Sequence, residues 1–246
     1  MNGLIVLQAR LSSTRLPSKV IQLVNNRPMI EWQIKRIKEA DIAPIIVATS
    51  IDKSDDNLVE ILNNLEIETY RGSLENVCDR FKNILRINQP EVIVRLTADC
   101  PLVMPKLLRD MYDKFVSSHY EYLSNTIEPT FPDGLDIEIF TTEAFNKMLR
   151  LPLNDLDKEH VTPAIYKNPK IFKIKNYENN INLSNLRWTV DYPEDLDFVR
   201  KVYGFFKGRE TQFGINELLS ALKDGSITDN MLGAEYRNIA YKNSGA

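Results

Sequence analysis

Glycine is scarce in this chain: nine of 246 residues, against an average usage of about 7%. No two of the nine have the G-x-G or G-x-x-x-x-G-K spacing, which excludes the dinucleotide fingerprint and the Walker A loop. Between Gly3 and Gly72 there is no glycine at all, so a phosphate site near the N-terminus must work mainly through side chains. Cys78 and Cys100 are the only cysteines, as suits a protein with reduced thiols. His119 and His160 are too few and too far apart for a histidine-based zinc site. No apolar run approaches the about 18 residues of a membrane span. The first residues lack the basic region that opens a secretory signal, so a cytoplasmic location and no membrane partner are expected. With 31 Lys and Arg against 34 Asp and Glu, there is no cationic excess to displace counterions from a nucleic acid.

What is present suggests a globular protein with a proper core, since 43% of residues are hydrophobic and 26% charged. At about 100–200 residues per domain, the length gives one large domain or one carrying a sizeable insertion. Leu4-Ile-Val-Leu7, Ile45-Ile-Val-Ala48, Glu66 to Tyr70 and Val92-Ile-Val-Arg-Leu96 read as strands. Helical faces separate them: Ile30, Ile34 and Ile37 after Pro28, then Leu58, Ile61 and Leu62 after a Ser54 cap. Val77, Phe81, Ile84 and Leu85 follow a Ser73 cap. Four alternations with short connections predict an α/β fold, an open, mostly parallel twisted sheet covered by helices.

The pattern breaks after about residue 118. Tyr120–Ser124 and Leu135–Phe140 read as strands around a turn at Phe131-Pro-Asp-Gly134. Leu186–Val190 reads as a return strand before a helix carrying Leu196, Val199, Val202 and Tyr203. The expected organisation is one domain over 1–206, with a nucleotide-binding half (1–117), a β-containing substrate or dimerisation insertion (118–185) and a closing strand and helix (186–206). A helical tail follows over 207–246.

The segment Gln8-Ala-Arg-Leu-Ser-Ser-Thr-Arg-Leu-Pro-Ser-Lys19 places Arg10, Arg15, Lys19 and several hydroxyls directly behind a buried strand. Ligands of open α/β sheets bind at the carboxyl ends of the strands, where this loop lies. Arginine chelates phosphate oxygens with a planar fork and lysine adds a movable point charge, so three cations match a triphosphate. Composition alone also fits a solvated basic loop.

The stretch resembles the signature loop of the bacterial cytidylyltransferases that make CMP-activated acidic sugars, the Kdo and acylneuraminate type. Within them it is most similar to the spore coat polysaccharide biosynthesis protein F branch. Val47-Ala-Thr-Ser50, Arg71-Gly-Ser73, Asp79-Arg80, Arg95-Leu-Thr-Ala-Asp-Cys-Pro101 and Ser124-Asn-Thr126 continue the likeness. So do Phe131-Pro-Asp-Gly-Leu-Asp-Ile-Glu138, Glu159-His-Val-Thr-Pro163 and Arg187-Trp-Thr-Val-Asp191, in order, over roughly residues 4–205. One departure is Ser18, where the family usually has glycine.

The resemblance implies a nucleotide-diphospho-sugar transferase-like fold and transfer of CMP from CTP to an acidic sugar or similar acceptor, in surface-glycan synthesis. Arg10, Arg15 and Lys19 would bind the triphosphate, and Gln8, Ala9, Ser13, Arg71 and Ser73 would complete the nucleotide site. Asp99 and Asp191 would hold Mg2+. Both follow apolar strand candidates, an arrangement of two hard oxygen ligands that suits this ion, although each could equally cap a turn or helix. Arg10, Arg15, Lys19, Asp99 and Asp191 are therefore the expected catalytic set. Asn125, Asp133, Asp136, Glu138 and His160 are candidates for acceptor contacts, against a bland reading as turn, exposed-strand and structural residues. Tyr120, Tyr122 and Phe140 are expected to serve core or dimer packing, and the likeness implies a homodimer. Competing readings are a nucleotide-sugar-dependent glycosyltransferase and a non-catalytic nucleotide-binding module. The first needs a D-x-D metal motif, and Asp155-Leu-Asp157 and Asp195-Leu-Asp197 supply only the letters.

Overall fold

The computed structural model describes residues 1–228. The first apolar run forms β1 (Gly3–Gln8). After it come a 3-10 turn at Lys19–Ile21 and a small hairpin of β2 (Leu23–Val24) and β3 (Arg27–Pro28). Then α1 (Met29–Ala40), β4 (Ile45–Ser50), α2 (Asp56–Asn64), β5 (Glu68–Gly72), α3 (Val77–Asn88) and β6 (Val92–Thr97) complete the expected alternation. The following elements are α4 (Pro105–Val116), β7 (Tyr122–Ser124), β8 (Glu138–Thr141) and α5 (Thr142–Met148). Last come α6 (Asp155–His160), α7 (Pro163–Tyr166), β9 (Ile174–Asn176), α8 (Pro193–Phe205) and α9 (Ile215–Lys223).

Seven strands form one open sheet in the order β5-β4-β1-β6-β8-β7-β9. Only β8 runs against its neighbours β6 and β7; the other pairings are parallel. Successive side chains on a strand point to opposite faces, and in β1 both faces are covered. Ile5 and Leu7 pack with Ile30 and Ile34 of α1 and Leu108 of α4. Leu4 and Val6 pack with Phe81 and Ile84 of α3 and Phe145 of α5. That double burial is why β1, β4 and β6 read as continuous apolar runs instead of alternating ones. Tyr122 and Phe140 are fully buried in the second layer, which bears out their reading as core residues. Among the described residues no helix is long and apolar enough to cross a membrane.

Local details depart from expectation where short polar side chains compete for the same backbone donors. Ser54 does not cap α2. Asp52 accepts from the Ser54 N–H at 2.8 Å and opens a 3-10 turn that runs into the helix. Asn76, not Ser73, caps α3 by accepting from Asp79 N at 2.9 Å, while Ser73 accepts from Asn76 N. Leu186–Val190 forms no strand, only a bridge between Arg187 and Asp133. Its donors go to loops, Trp188 N to Asp133 O at 2.6 Å and Val190 N to Asp99 O at 2.8 Å. His160 ends α6, and Val161 at φ 72 interrupts the helix before α7. The expected helical tail is represented by α9, and its part beyond residue 228 lies outside the described residues.

Candidate active site

The parallel registers place Gln8, Ala48 and Thr97 at one level, so β1, β4 and β6 open their carboxyl ends onto a common edge. The basic loop leaves β1 there. Its base is tied down by Asp55, a fully buried carboxylate that accepts from Leu11 N at 2.7 Å, Thr49 Oγ1 at 3.0 Å and Ser50 N at 3.1 Å. The loop closes where Ser18 N donates to Leu11 O at 3.0 Å. Ser18 itself has φ 57, in the left-handed region that glycine enters without steric cost. The serine therefore keeps the backbone shape that glycine would supply, at a cost of about 1 kcal/mol.

This turn aims Lys19 inward. Its Nζ donates to Val190 O at 2.7 Å, Asp191 Oδ1 at 2.8 Å and Asp99 Oδ2 at 3.3 Å. Arg15 reaches the same Asp191 oxygen at 2.7 Å and lies over the Tyr192 ring. Burial pulls the Lys19 pKa down, but Asp99 and Asp191 outweigh it and hold the ammonium above its ordinary value. Burial likewise raises Asp191, yet Lys19 and Arg15 bring it down to about 2. Asp99 is lowered too: burial opposes ionisation, but Lys19 and the Thr97 hydroxyl, 2.6 Å away, favour it.

A cavity of about 360 Å³ adjoins this cluster, and Arg15, Asp99 and Asp191 share its lining with Asp133, Asp136, Glu138 and His160. Asp133 accepts from Arg187 at 3.0 Å. Glu138 accepts from Tyr122 Oη at 2.6 Å and also binds Arg95 and Thr162. Burial lowers the His160 pKa.

The sequence-predicted residues thus divide. Arg15, Lys19, Asp99 and Asp191 converge, and Asp133, Asp136, Glu138 and His160 face the adjoining cavity. Arg10 stands at the rim, half-exposed, 3.8 Å from Glu159. Gln8 accepts from Arg95 at 3.1 Å, and Ala9 N is taken by Ala48 O. Ser13 Oγ accepts from Leu16 N within the loop. Arg71 pins the exit of β4, donating to Ser50 O and Asp52 O and pairing with Asp56, while Ser73 serves the turn before α3. Asn125 is buried, its amide spent on Leu135 O at 2.7 Å and Ile137 N at 2.9 Å, which holds the loop before β8 in place of strand pairing.

Asp55, Arg187 and Asp195 were not foreseen as site residues. Arg187 is buried among Asp133, Asp191 and Asp195. The recurring interval of four between Arg187, Asp191 and Asp195 was the available signal. The D-x-D letters form no metal pair at a strand end: Asp155 and Asp157 begin α6, where Asn154 is the cap and Asp157 accepts from its N–H, and Asp195 and Asp197 lie in α8, where Arg187 takes Asp195.

Among the described residues, no group of three or more His, Cys, Asp or Glu is arranged to hold a metal ion. Two carboxylates do meet, however: a single ammonium touches both Asp99 and Asp191. Their oxygens suit Mg2+, which commonly takes one or two carboxylates and completes its shell with phosphate and water.

A cytidylyltransferase family model matches residues 4–223. The uncharacterized protein MJ1063 of Methanocaldococcus jannaschii is 34% identical over 194 residues, 78% of this chain and 79% of that protein. The spore coat polysaccharide biosynthesis protein SpsF of Bacillus subtilis is 29% identical over 228 residues, 89% of this chain and 93% of its own length. A cytidylyltransferase structure from Leptospira borgpetersenii serovar Hardjo-bovis superposes with a TM-score of 0.87 at 30% identity, covering 92% of this chain and 95% of the other.

Proposed function

The chain belongs to the cytidylyltransferase family, and we propose that it transfers CMP from CTP to a hydroxyl of a small acceptor, an acidic sugar or similar molecule, releasing pyrophosphate. The observation that carries this reading is the meeting of Arg15 and Lys19 with Asp99 and Asp191 at the carboxyl edge of the sheet, beside a cavity sized for a small ligand. The acceptor oxygen forms a bond to the α-phosphorus, the bond to the β-phosphate oxygen breaks, and the hydroxyl proton leaves to solvent. Such transfers depend on positioning and charge neutralisation more than on covalent work by the protein. Arg10, Arg15 and Lys19 neutralise the triphosphate and the departing pyrophosphate. Asp99 and Asp191 would hold Mg2+, which when bound supplies Lewis-acid stabilisation of phosphate charge. Asp133, Asp136, Glu138 and His160 line the space for the acceptor.

The likeness to SpsF, named for spore coat polysaccharide biosynthesis, supports a role in supplying activated sugars for a surface glycan. A cytoplasmic homodimer fits the same reading, and hydrodynamic mass tests the dimer. The deciding experiment is pyrophosphate release with each of four nucleoside triphosphates, Mg2+ and a panel of acidic sugars and phosphate esters. CTP alone should support release; release with another nucleotide and none with CTP would overturn the reading.

A further inference from the structure

The same two carboxylates assigned to the metal are the ones that Lys19 occupies. Its three ammonium protons meet three acceptors, Val190 O, Asp191 Oδ1 and Asp99 Oδ2, and the residue is only 8% exposed. Arg15 donates to the same Asp191 Oδ1, while Asp191 Oδ2 is taken by Arg187. A divalent cation and an ammonium cannot share the space between these carboxylates, because like charges at that separation repel strongly. The ammonium is the movable partner: it ends a flexible four-carbon stem, whereas both aspartates are fixed in short loops.

We infer that Lys19 is a positioning residue that holds the cation position between Asp99 and Asp191 until nucleotide arrives, making metal binding conditional on the nucleotide. The inference rests on reading Asp99 and Asp191 as the metal carboxylates. Phosphate oxygens give Lys19 and Arg15 new acceptors, so the loop cations swing onto the triphosphate and uncover the carboxylates together. In the nucleotide-free protein Lys19 keeps the pair at a fixed spacing with its charge neutralised, and two adjacent carboxylates do not force each other apart.

The test is Mn2+ binding to nucleotide-free protein, read by electron paramagnetic resonance, with no turnover involved. Lys19→Met should bind Mn2+ at least tenfold more tightly than wild type, and adding Asp99→Asn should cancel the gain. Lys53→Met, which removes an exposed cation outside the cluster, should leave affinity within twofold of wild type. Equal affinity of wild type and Lys19→Met, or a gain that survives Asp99→Asn, overturns the inference. Lys19→Gln gives the same comparison should the methionine variant fail to fold. Pyrophosphate release from CTP by wild type bears separately on the proposed function, so the two can fail independently.

Discussion

Arg187 donates from Nη1 to the Asp133 carboxylate at 3.0 Å, tying a loop that lines the cavity beside Asp99 to the segment that carries Asp191. The same guanidinium grips Asp195 with Nε and Nη2, both at 3.1 Å, and reaches Asp191 at 3.2 Å. Asp195, itself fully buried, accepts from the backbone N–H groups of Asp191 and Tyr192. The loop carrying Asp133 and the segment 187–195 are thereby held in one charged knot.

Removing the centre of that knot strands its partners. Arg187→Met leaves buried carboxylates without compensation, a change that costs about 3–5 kcal/mol. For a chain of this size, that corresponds to a fall in Tm of about 10 °C. Thermal melting by circular dichroism checks it, and a shift within experimental error would show that the carboxylates find other partners.

Acid should loosen the cluster in a defined window. Asp191 titrates at about 2 in the folded protein, against an ordinary 3.8. A lowered pKa gives stability that is fully present above the unfolded value and is lost as pH falls through the folded one. The contribution of Asp191, about 2 kcal/mol, is thus present above about pH 4 and fades toward pH 2. Urea unfolding of wild type and Asp191→Asn should differ most at pH 7, with the gap narrowing below about pH 4 and closing only below about pH 2; a constant gap across that range contradicts the assignment.

The sheet was legible in the sequence because its central strands are buried on both faces, so Leu4–Leu7, Ile45–Ala48 and Val92–Leu96 stand out as apolar runs. Asp99 and the loop of Arg15 and Lys19 were legible for a related reason: they come after the runs that end at Leu96 and Leu7, whereas Asp191 follows Leu186–Val190, which is apolar but forms no strand. Side chains that act across long separations left little trace. Asp55 looks like one more polar residue before a helix, yet it reaches back 44 positions to Leu11 N. Leu186–Val190 has the apolar content of a strand, but its hydrogen bonds belong to the Asp133 and Asp99 loops. Periodicity reports which face is buried, not which neighbour takes the backbone donors.

Asp55 carries its own prediction. Asp55→Ala orphans Leu11 N, Ser50 N and the Thr49 hydroxyl in a dry setting, and each unsatisfied group costs about 1–3 kcal/mol. Beyond lost stability, the base of the Arg10–Lys19 loop loses its anchor. Calorimetry should show CTP affinity reduced at least about tenfold, about 1.4 kcal/mol, in protein that remains folded. Unchanged affinity would mean the loop is held by its other contacts.

Gly134 is the strongest test of how closely the Asp133 loop must approach the Asp191 segment. Its φ is +102, and an added Cβ would lie 2.3 Å from Thr189 N and 2.5 Å from the Trp188 carbonyl carbon. Those atoms are backbone and cannot swing aside. Trp188 N is bound to Asp133 O, and Val190 N and the Thr189 hydroxyl are bound to Asp99 O. Gly134→Ala must therefore push the two segments apart, combining overpacking of about 1–3 kcal/mol with left-handed strain of about 1–2 kcal/mol. Displacing Thr189 also moves the backbone between Arg187 and Asp191, so turnover should fall more steeply than stability. Gly208→Ala is the matched control, with φ +86 but no atom within 4 Å of the added carbon. It should show the strain alone, about 1 kcal/mol, with turnover unchanged. If both variants lose the same Tm and keep wild-type pyrophosphate release, the contact between Gly134 and Thr189 does not set the geometry of the site.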